Sequence, residues 1–350
     1  MRVRFLVSTF LLSAGLVGGI AAQASAATPM STPLHGGAPP SASAPAMPGM
    51  DMNMPGMNMP GMNMPAAPAK PADVNANIDR ARLKPLFLQA KLTGANEVQV
   101  PGKPPVGDPK GSATGLVRVQ GNRVTFAFSW KGISAPTLGH IHQGVAGVNG
   151  DVKVPLFATP MPETATSAAG VLTVSDPAIA DAIRANPAGF YLNLHTKEFP
   201  GGAVRGQLSK LDHPTDVLGL LQNAGTEKAF LSGDQEVPVA NGPAVGDPTG
   251  RAVSFIRARG TEVDYAFAWV GVQPTLGHIH KAPFGVNGPV VVPLIATPVP
   301  TTIIAIAGTV TGLDASLVGD IAAHPAGFYT NLHTAQFPGG AVRGQLFNRR

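Results

Sequence analysis

The second half of the chain repeats the first at the length of a domain. Residues 137–142 read TLGHIH, and residues 275–280 read the same six letters. His195 and His333 also recur 138 positions apart, each within the sequence NLHT. Solenoid units are much shorter than this offset, whereas independent domains are commonly of this size. The 350 residues therefore contain two copies of one domain.

The composition favours strands over helices. Only 13% of the residues are charged, and the chain contains 42 glycines and 35 prolines. Short strands joined by turns use such a mixture, whereas helical bundles need more alanine, leucine, glutamate and lysine. We predict an all-β chain with two tandem Greek-key-like β-sandwich domains, each with one short helix.

Local patterns place the elements of this fold. Residues 124–130 alternate apolar and polar side chains directly after Gly121-Asn122, which predicts a hairpin. Residues 152–157 and 290–295 are predicted to be further strands. Asp176 and Pro177 suit the cap and first turn of a helix over 178–185, with a counterpart at 313–323.

Two classes of function are disfavoured by what the sequence lacks. It contains no cysteine, which excludes disulfides and thiolate metal sites. The net charge is +5, but Arg2 and Arg4 belong to the apparent leader, few residues are aromatic, and no basic cluster follows. We therefore expect no nucleic-acid surface.

The first residues resemble a secretion signal. Arg2 and Arg4 precede an apolar run over 5–22, and Ala24-Ser25-Ala26 is a small-residue cleavage site. A membrane anchor is the alternative, but serine, threonine and glycine interrupt the run. We expect cleavage after Ala26, a periplasmic or secreted product, and no membrane span in the mature chain.

The rest of the chain divides by composition. After the signal peptide at 1–26, a Pro- and Met-rich segment at 27–85 is predicted to be a disordered tether. The first domain is assigned to 86–210, a linker to 211–228, with one helical turn at 217–221, and the second domain to 229–350.

The repeated histidines form a candidate metal site in each copy. In a strand, His140 and His142 point to one face while Ile141 points to the core. The same alternation places Tyr191, Asn193 and His195 together, so the three imidazoles can converge if the strands are neighbours. Three neutral imidazoles suit copper or zinc, with an open position left over. The candidate ligands are His140, His142, His195, His278, His280 and His333.

Other readings of these residues stay open. Two histidines at this spacing are often polar residues on the wet face of a strand, and they can make internal hydrogen bonds instead. Tyr191 or Asn193 can orient a ligand. Arg205 and Glu97 are predicted to form a structural ion pair across strands, and the Gly-rich segment 144–150 is predicted to be a tight turn with Asn149-Gly150 at positive φ.

A methionine tract lies in the tether. Eight of the eleven methionines fall within residues 47–64, too rich in proline and glycine to form a core. Thioether sulfur is a soft ligand that selects Cu(I), and a neutral spacer is the alternative interpretation. The tract also resembles Met-rich segments of bacterial copper-resistance proteins. The candidate ligands are Met50, Met52, Met54, Met57, Met59, Met62 and Met64.

Taken together, these motifs resemble a known domain family. LTGANEV at 92–98, GHIH at 139–142, NLHT at 193–196 and FPGG at 199–202 are similar to the CHRD domain, which is named for chordin and is widespread in bacterial exported proteins. The second copy matches through LSGDQEVP at 231–238 and its later motifs. The resemblance implies a β-rich extracytoplasmic module without an established reaction.

These observations give one leading hypothesis and two alternatives. The leading hypothesis is exported copper binding or sequestration through the histidine sites and the methionine tract, with zinc as the other candidate metal and no catalysis. The second is a structural module that binds another envelope or extracellular protein. The third is a dismutase-like copper enzyme, because a His-x-His strand in a Gly-rich β-sandwich resembles copper-zinc superoxide dismutase and implies a superoxide-dismutase-like fold. The sequence departs from that pattern, since it lacks a bridging histidine, a zinc-binding subloop and a disulfide.

Overall fold

The computed structural model of the protein describes residues 74–221 and 225–348. Most of this part of the chain is antiparallel β-structure. The first copy contains β1 Leu86–Thr93, β2 Ser112–Gln120, β3 Arg123–Lys131, β4 Leu138–Gln143, β5 Val152–Phe157, β6 Ala165–Thr173, β7 Phe190–His195, β8 Val204–Gln207 and β9 Ser209–Lys210. The second contains β10 Glu227–Ser232, β11 Arg251–Arg259, β12 Glu262–Val270, β13 Leu276–Lys281, β14 Val290–Ile295, β15 Ile303–Val310, β16 Phe328–His333, β17 Val342–Gln345 and β18 Phe347–Asn348.

The predicted hairpin and helices form for the expected reasons. Strands β2 and β3 pair from Ser112–Lys131 to Gln120–Arg123, and Gly121 makes the turn at φ 57°. Helix α2 covers Pro177–Ala185, and the Asp176 carboxylate accepts from the Ala178 N–H. Its counterpart covers Ala315–Ala323 and is capped by Asp314. This counterpart is helix α3, and a further helix, α1, covers Val74–Ala81 before the first strand.

Each copy is built from two sheets that enclose a core. In the first copy, one sheet has the order β1–β2–β3–β6 and the other β8–β7–β4–β5. The two sheets meet at one edge, where Thr93 of β1 pairs with Arg205 of β8. The sheets pack face to face: the Phe128 ring of β3 meets the Phe157 ring of β5 edge-on, with centroids 6.4 Å apart. Strands β4 and β5 leave the first sheet before β6 returns to β3, which is a Greek-key crossover. The predicted tandem β-sandwich fold is confirmed.

The two copies share one continuous sheet. Strand β6 pairs antiparallel with β15, for example through Ala168 and Ile306. The hydrogen bonds beside this pairing are reciprocal, because the Val171 N–H donates to the Thr302 carbonyl and the Thr309 N–H donates to the Thr164 carbonyl, at 2.9 and 3.0 Å. We call this β6–β15 junction the seam. It joins the sheet β1–β2–β3–β6 of the first copy edge to edge with the equivalent sheet of the second copy.

The linker packs on the outer face of this joined sheet. Val217–Leu221 forms a 3-10 helix, which confirms the predicted helical turn. Val217 and Leu221 are buried against a small apolar cluster that includes Leu116 of the first copy and Ala305 of the second. Strand β10 begins at Glu227, two residues before the predicted start of the second domain.

The end of the predicted tether has a different structure from the one expected. Residues 74–85 were assigned to a disordered segment, but helix α1 covers Val74–Ala81. The Arg80 guanidinium bonds the Asn122 side chain at 2.6 Å and the Asp181 carboxylate at 2.8 Å. These long-range contacts stabilise a short helix that local propensity alone would leave marginal.

The predicted signal peptide and all seven candidate methionine ligands lie outside the described residues. Within residues 74–221 and 225–348, no helix combines the length and apolar character that crossing a membrane requires.

Candidate metal centre

Strand β4 places two histidines on one face. Ile141 is fully buried in the core, so its neighbours His140 and His142 point away from it. The pairing of β4 with β5 shifts register between Gly139 and His140 and again between Ile141 and His142. The same shifts occur in β13 at His278 and His280. Irregularities of this kind re-aim side chains and are frequent next to functional sites.

Strand β7 brings the third histidine alongside. It pairs with β4 so that Leu138 faces His195, His140 faces Asn193 and His142 faces Tyr191. The predicted alternation is confirmed, since Leu192 and Leu194 lie in the core. The polar face of β7 differs from a wet strand face, because His195 and Asn193 are also buried, at 8% and 4% exposure.

The three imidazoles of the first copy converge. His140, His142 and His195 each offer one nitrogen, and these nitrogens lie within 4.8 Å of one another. His140 Nδ1 is 3.1 Å from His195 Nε2. The rings of His140 and His142 meet nearly edge-on, with centroids 5.5 Å apart. One small ion can therefore reach all three side chains.

Backbone carbonyls select the nitrogens that face the centre. His142 Nδ1 lies 2.9 Å from the Gly150 carbonyl oxygen, and His195 Nδ1 lies 2.9 Å from that of Pro200. A carbonyl accepts only from an N–H, so Nδ1 carries the proton in both rings and Nε2 presents a lone pair. Metal-binding histidines are held in this way, with the second nitrogen donating to a carbonyl or carboxylate.

The remaining contact defines the protonation of His140 in the metal-free state. His195 Nε2 is an acceptor, so His140 Nδ1–H donates to it. His142 Nε2 is buried and has no hydrogen-bond partner among the described residues. A cation bound at His140 Nδ1 would require the proton of that ring to move to Nε2, and the cation would also satisfy the free nitrogen of His142.

The second copy reproduces this geometry. His278 Nδ1 lies 3.2 Å from His333 Nε2, and His333 Nδ1 lies 2.9 Å from the Pro338 carbonyl. His280 Nδ1 lies 2.9 Å from the Gly288 carbonyl. One contact differs: His280 Nε2 also lies 3.1 Å from Asn331 Oδ1, so this nitrogen has a neighbour that His142 Nε2 lacks.

The environment keeps the imidazoles neutral. Burial, followed by the proximity of the other two histidines, lowers the pKa of His140 and of His278 to about 4. Burial also lowers the pKa of His142 and of His195, although their bonds to Gly150 and Pro200 oppose the shift. Neutral imidazole is the form that binds metal, so protons compete weakly at these sites.

Tyr191 contacts His142 as an orienting residue would. The two rings stack with centroids 4.8 Å apart and an interplanar angle of 6°. The Arg205 guanidinium carbon lies 3.5 Å from the centre of the same tyrosine ring. Tyr329, His280 and Arg343 repeat the arrangement in the second copy.

The predicted Arg205–Glu97 ion pair is wrong. The guanidinium instead bonds the carbonyls of Val145 and Val148 and the Asn149 side chain. Glu97 Oε2 accepts from the Asn193 amide at 3.3 Å, and burial raises the pKa of Glu97 to about 7. Arg205 acts on Glu97 only at longer range, where its charge lowers the pKa of Glu97 by less than burial raises it.

The Gly-rich segment is a turn, as predicted, but its left-handed residue is a different one. Gly147 has φ 78°, and the Val148 N–H bonds the Val145 carbonyl. Asn149 instead contributes a side-chain hydrogen bond, in which its amide donates to the Val98 carbonyl at 2.8 Å. Sequence reasoning missed the functional importance of this segment and of the one around Pro200, because they contribute backbone carbonyls that carry no residue-type signal.

The fold and the paired histidine sites define a tandem β-sandwich protein with one candidate metal centre in each copy. The family model described as the CHRD domain matches residues 88–208 and 228–346, and the chain belongs to this family. CHRD domains are typical of secreted and extracellular proteins. Comparison with curated proteins and with solved structures gives no match.

Proposed function

We propose that this protein binds copper outside the cytoplasm and buffers, sequesters or delivers it, without catalysing a reaction. One ion binds to His140, His142 and His195, and a second to His278, His280 and His333. Zinc is the competing metal, since three imidazoles with an open position suit either ion. Met50, Met52, Met54, Met57, Met59, Met62 and Met64 capture Cu(I), which soft thioethers select.

The observation that carries this proposal is the buried Nε2 of His142, which has no partner in the described structure. Leaving a buried polar atom unpaired costs about 1–3 kcal/mol, and a bound cation removes that cost. The carbonyl bonds to the other nitrogens of His142 and His195 aim the lone pairs at the same space.

A structural or protein-binding module is the second candidate, and one contact favours it. His280 Nε2 lies 3.1 Å from Asn331 Oδ1 in the second copy, so this nitrogen, unlike His142 Nε2, faces a polar protein group. Under this function the histidines stabilise the fold, and their replacement lowers stability with no change in metal content.

The test is a competition titration of the chain without residues 1–26, using Cu(I), Cu(II) and Zn(II) separately. Three variants are compared with it: His142→Ala/His280→Ala, replacement of the seven methionines by leucine, and His324→Asn. His324 is a matched control because it is exposed and bonds Asp320 rather than another histidine. Circular dichroism establishes that each variant is folded before titration.

We expect about one tightly held Cu(II) per copy in the starting chain. The His142→Ala/His280→Ala variant should lose that binding, while His324→Asn should keep it. The methionine variant should lose affinity for Cu(I) alone. Equal Cu(II) affinity in the His142→Ala/His280→Ala variant and the starting chain would contradict the histidine site, and unchanged Cu(I) affinity in the leucine variant would remove the tract from the proposal.

A further inference from the structure

We infer that Arg205, and Arg343 in the second copy, is a positioning residue of the metal site: it acts through Tyr191 and the Gly-rich turn to fix the ring of His142. This inference rests on the proposed function. It assigns a role in metal binding to a residue that the sequence pattern placed in a structural ion pair.

The burial of Arg205 needs an explanation. Its side chain is 1% exposed, and no carboxylate lies within ion-pair distance of it in residues 74–221 and 225–348. Burying a charge is costly unless it is well hydrogen-bonded. A neutral side chain could hold a turn at lower cost, so a cation at this place indicates that its position and shape matter beyond the turn.

The first route from Arg205 to the site is a stack of three groups. The guanidinium carbon is 3.5 Å from the centre of the Tyr191 ring, and the His142 ring is parallel to that tyrosine within 6°. Groups this close to one ring cannot share a face, so Tyr191 is held between them. A planar guanidinium stacks well on an aromatic face. The stack therefore fixes the plane of the His142 ring.

The second route runs through the turn. Arg205 bonds the carbonyls of Val145 and Val148 at 3.0 and 2.7 Å and the Asn149 side chain at 3.1 Å. The turn ends at Gly150, whose carbonyl accepts from His142 Nδ1 at 2.9 Å. Arg205 thus fixes both the plane of the His142 ring and the Gly150 carbonyl that orients it. Together these set the direction of the His142 Nε2 lone pair.

The second copy retains this device although the turn differs in sequence. Ala146 is replaced by Phe284 at the tip, and Val145 by Pro283. Arg343 nevertheless bonds the carbonyls of Pro283 and Val286. Its guanidinium carbon lies 3.4 Å from the centre of the Tyr329 ring, and that ring stacks on His280 with an interplanar angle of 7°. The contacts that reach the histidine are kept while the exposed residues change, as expected if they position the ligand.

The experiment compares Cu(II) affinity and the electron paramagnetic resonance spectrum of the copper-loaded chain across variants. Arg205→Met/Arg343→Met removes both routes. Tyr191→Leu/Tyr329→Leu removes the stack. Tyr191→Phe/Tyr329→Phe keeps the stack but removes the bonds that the Gly150 and Gly288 N–H groups donate to the two tyrosine hydroxyls. Arg184→Met is the matched control, because Arg184 also bonds two backbone carbonyls, those of Val119 and Lys84, and touches neither histidine site.

We expect the arginine and leucine pairs to bind Cu(II) about tenfold to a hundredfold more weakly, with altered copper hyperfine splitting, as for other residues that orient a metal ligand. Arg184→Met should keep the original spectrum, and the phenylalanine pair should bind Cu(II) more tightly than the leucine pair, because it retains the aromatic stack. If the Arg205→Met/Arg343→Met variant does not fold, the Cu(II) affinity and spectrum of the Tyr191→Leu/Tyr329→Leu variant test the inference. Original affinity and spectrum in a folded arginine or leucine pair would overturn the inference, provided that His142→Ala/His280→Ala still abolishes binding. No Cu(II) binding by the unsubstituted chain would instead remove the proposed function, and this inference with it.

Discussion

The Thr164 hydroxyl of the first copy donates a hydrogen bond to the Leu294 carbonyl of the second copy at 2.6 Å. The equivalent Thr302 hydroxyl bonds the Leu156 carbonyl of the first copy, also at 2.6 Å. Each copy therefore binds the strand that flanks the histidine strand of the other, since Leu156 lies in β5 and Leu294 in β14. The contact is reciprocal, like that between identical subunits about a twofold axis.

Replacing Thr164 by valine should destabilise the protein more than replacing Thr302 by valine. Thr164 Oγ1 also lies 2.8 Å from the Tyr265 hydroxyl, which is buried, so Thr164→Val leaves two polar groups unpaired. Thr302→Val leaves only the Leu156 carbonyl. We expect losses of about 2 and 1 kcal/mol in the free energy of unfolding, measured with urea. A larger loss for Thr302→Val would contradict the assigned bonds.

Alanine at Gly308 should disrupt the seam. A methyl group there would lie 2.1 Å from the Thr164 carbonyl oxygen and 2.7 Å from the Tyr265 hydroxyl. Backbone at that distance must move, and we expect a loss of about 1–3 kcal/mol in stability. Gly319→Ala is the control, because nothing lies within 4 Å of its added carbon and the position is inside helix α3. That variant should be at least as stable as the original chain. A Gly308→Ala variant of unchanged stability would mean that the seam is looser than described.

Glu97 and Glu236 should make stability fall as the pH rises. Burial raises the pKa of each to about 7 from 4.5, so the folded state binds more protons between these values. The stabilisation is complete below pH 4.5 and is lost as the pH rises through 7. Glu97→Gln/Glu236→Gln removes this dependence. Urea unfolding at each pH gives the free energy of unfolding of the variant and of the original chain. The difference in favour of the variant should rise by on the order of 1–2 kcal/mol per site from pH 4.5 to 7.5. A pH-independent difference would show that the two carboxyls titrate normally.

The histidines should act in the opposite direction. The folded pKa of His140 and of His278 is about 4, below the ordinary 6.5, so the unfolded chain binds more protons between these values. Stability is therefore lost as the pH falls from 6.5 towards 4. Nitrogen-15 NMR of the metal-free chain should show neutral imidazoles at pH 6, with the proton of His142 and His195 on Nδ1. A proton on Nε2 of either residue would refute the carbonyl assignments.

The sequence was sufficient for features that depend on local alternation. Period-two alternation around Ile141 and Leu194 places His140, His142 and His195 on one side of their sheet, and the copies agree because the pattern repeats. Asp176 and Pro177 mark a helix start through capping chemistry that acts within one turn. These features need no knowledge of distant contacts.

Other features depend on contacts that residue type does not encode. Strands β6 and β15 are rich in alanine and glycine, and nothing in their alternation indicates that they pair with each other. The acceptors at Gly150 and Pro200 are backbone carbonyls, which every residue possesses. Arg205 was assigned to Glu97 by charge, but carbonyls of the adjacent turn lie within reach of its donors. Helix α1 forms through distant contacts of Arg80, which local propensity does not show.

The seam has a consequence for how the chain behaves when it is cut. Backbone pairing of β6 with β15 and the Thr164 and Thr302 bonds hold the copies together independently of the peptide bonds between Leu221 and Gly225. A protease nick in that interval should leave one particle of unchanged size until denaturant separates the fragments. Reassembly would then depend on concentration, as it does for a dimer of separate subunits. The tandem repeat is in this respect an internal dimer, in which the linker fixes the stoichiometry and raises the effective concentration of each half for the other.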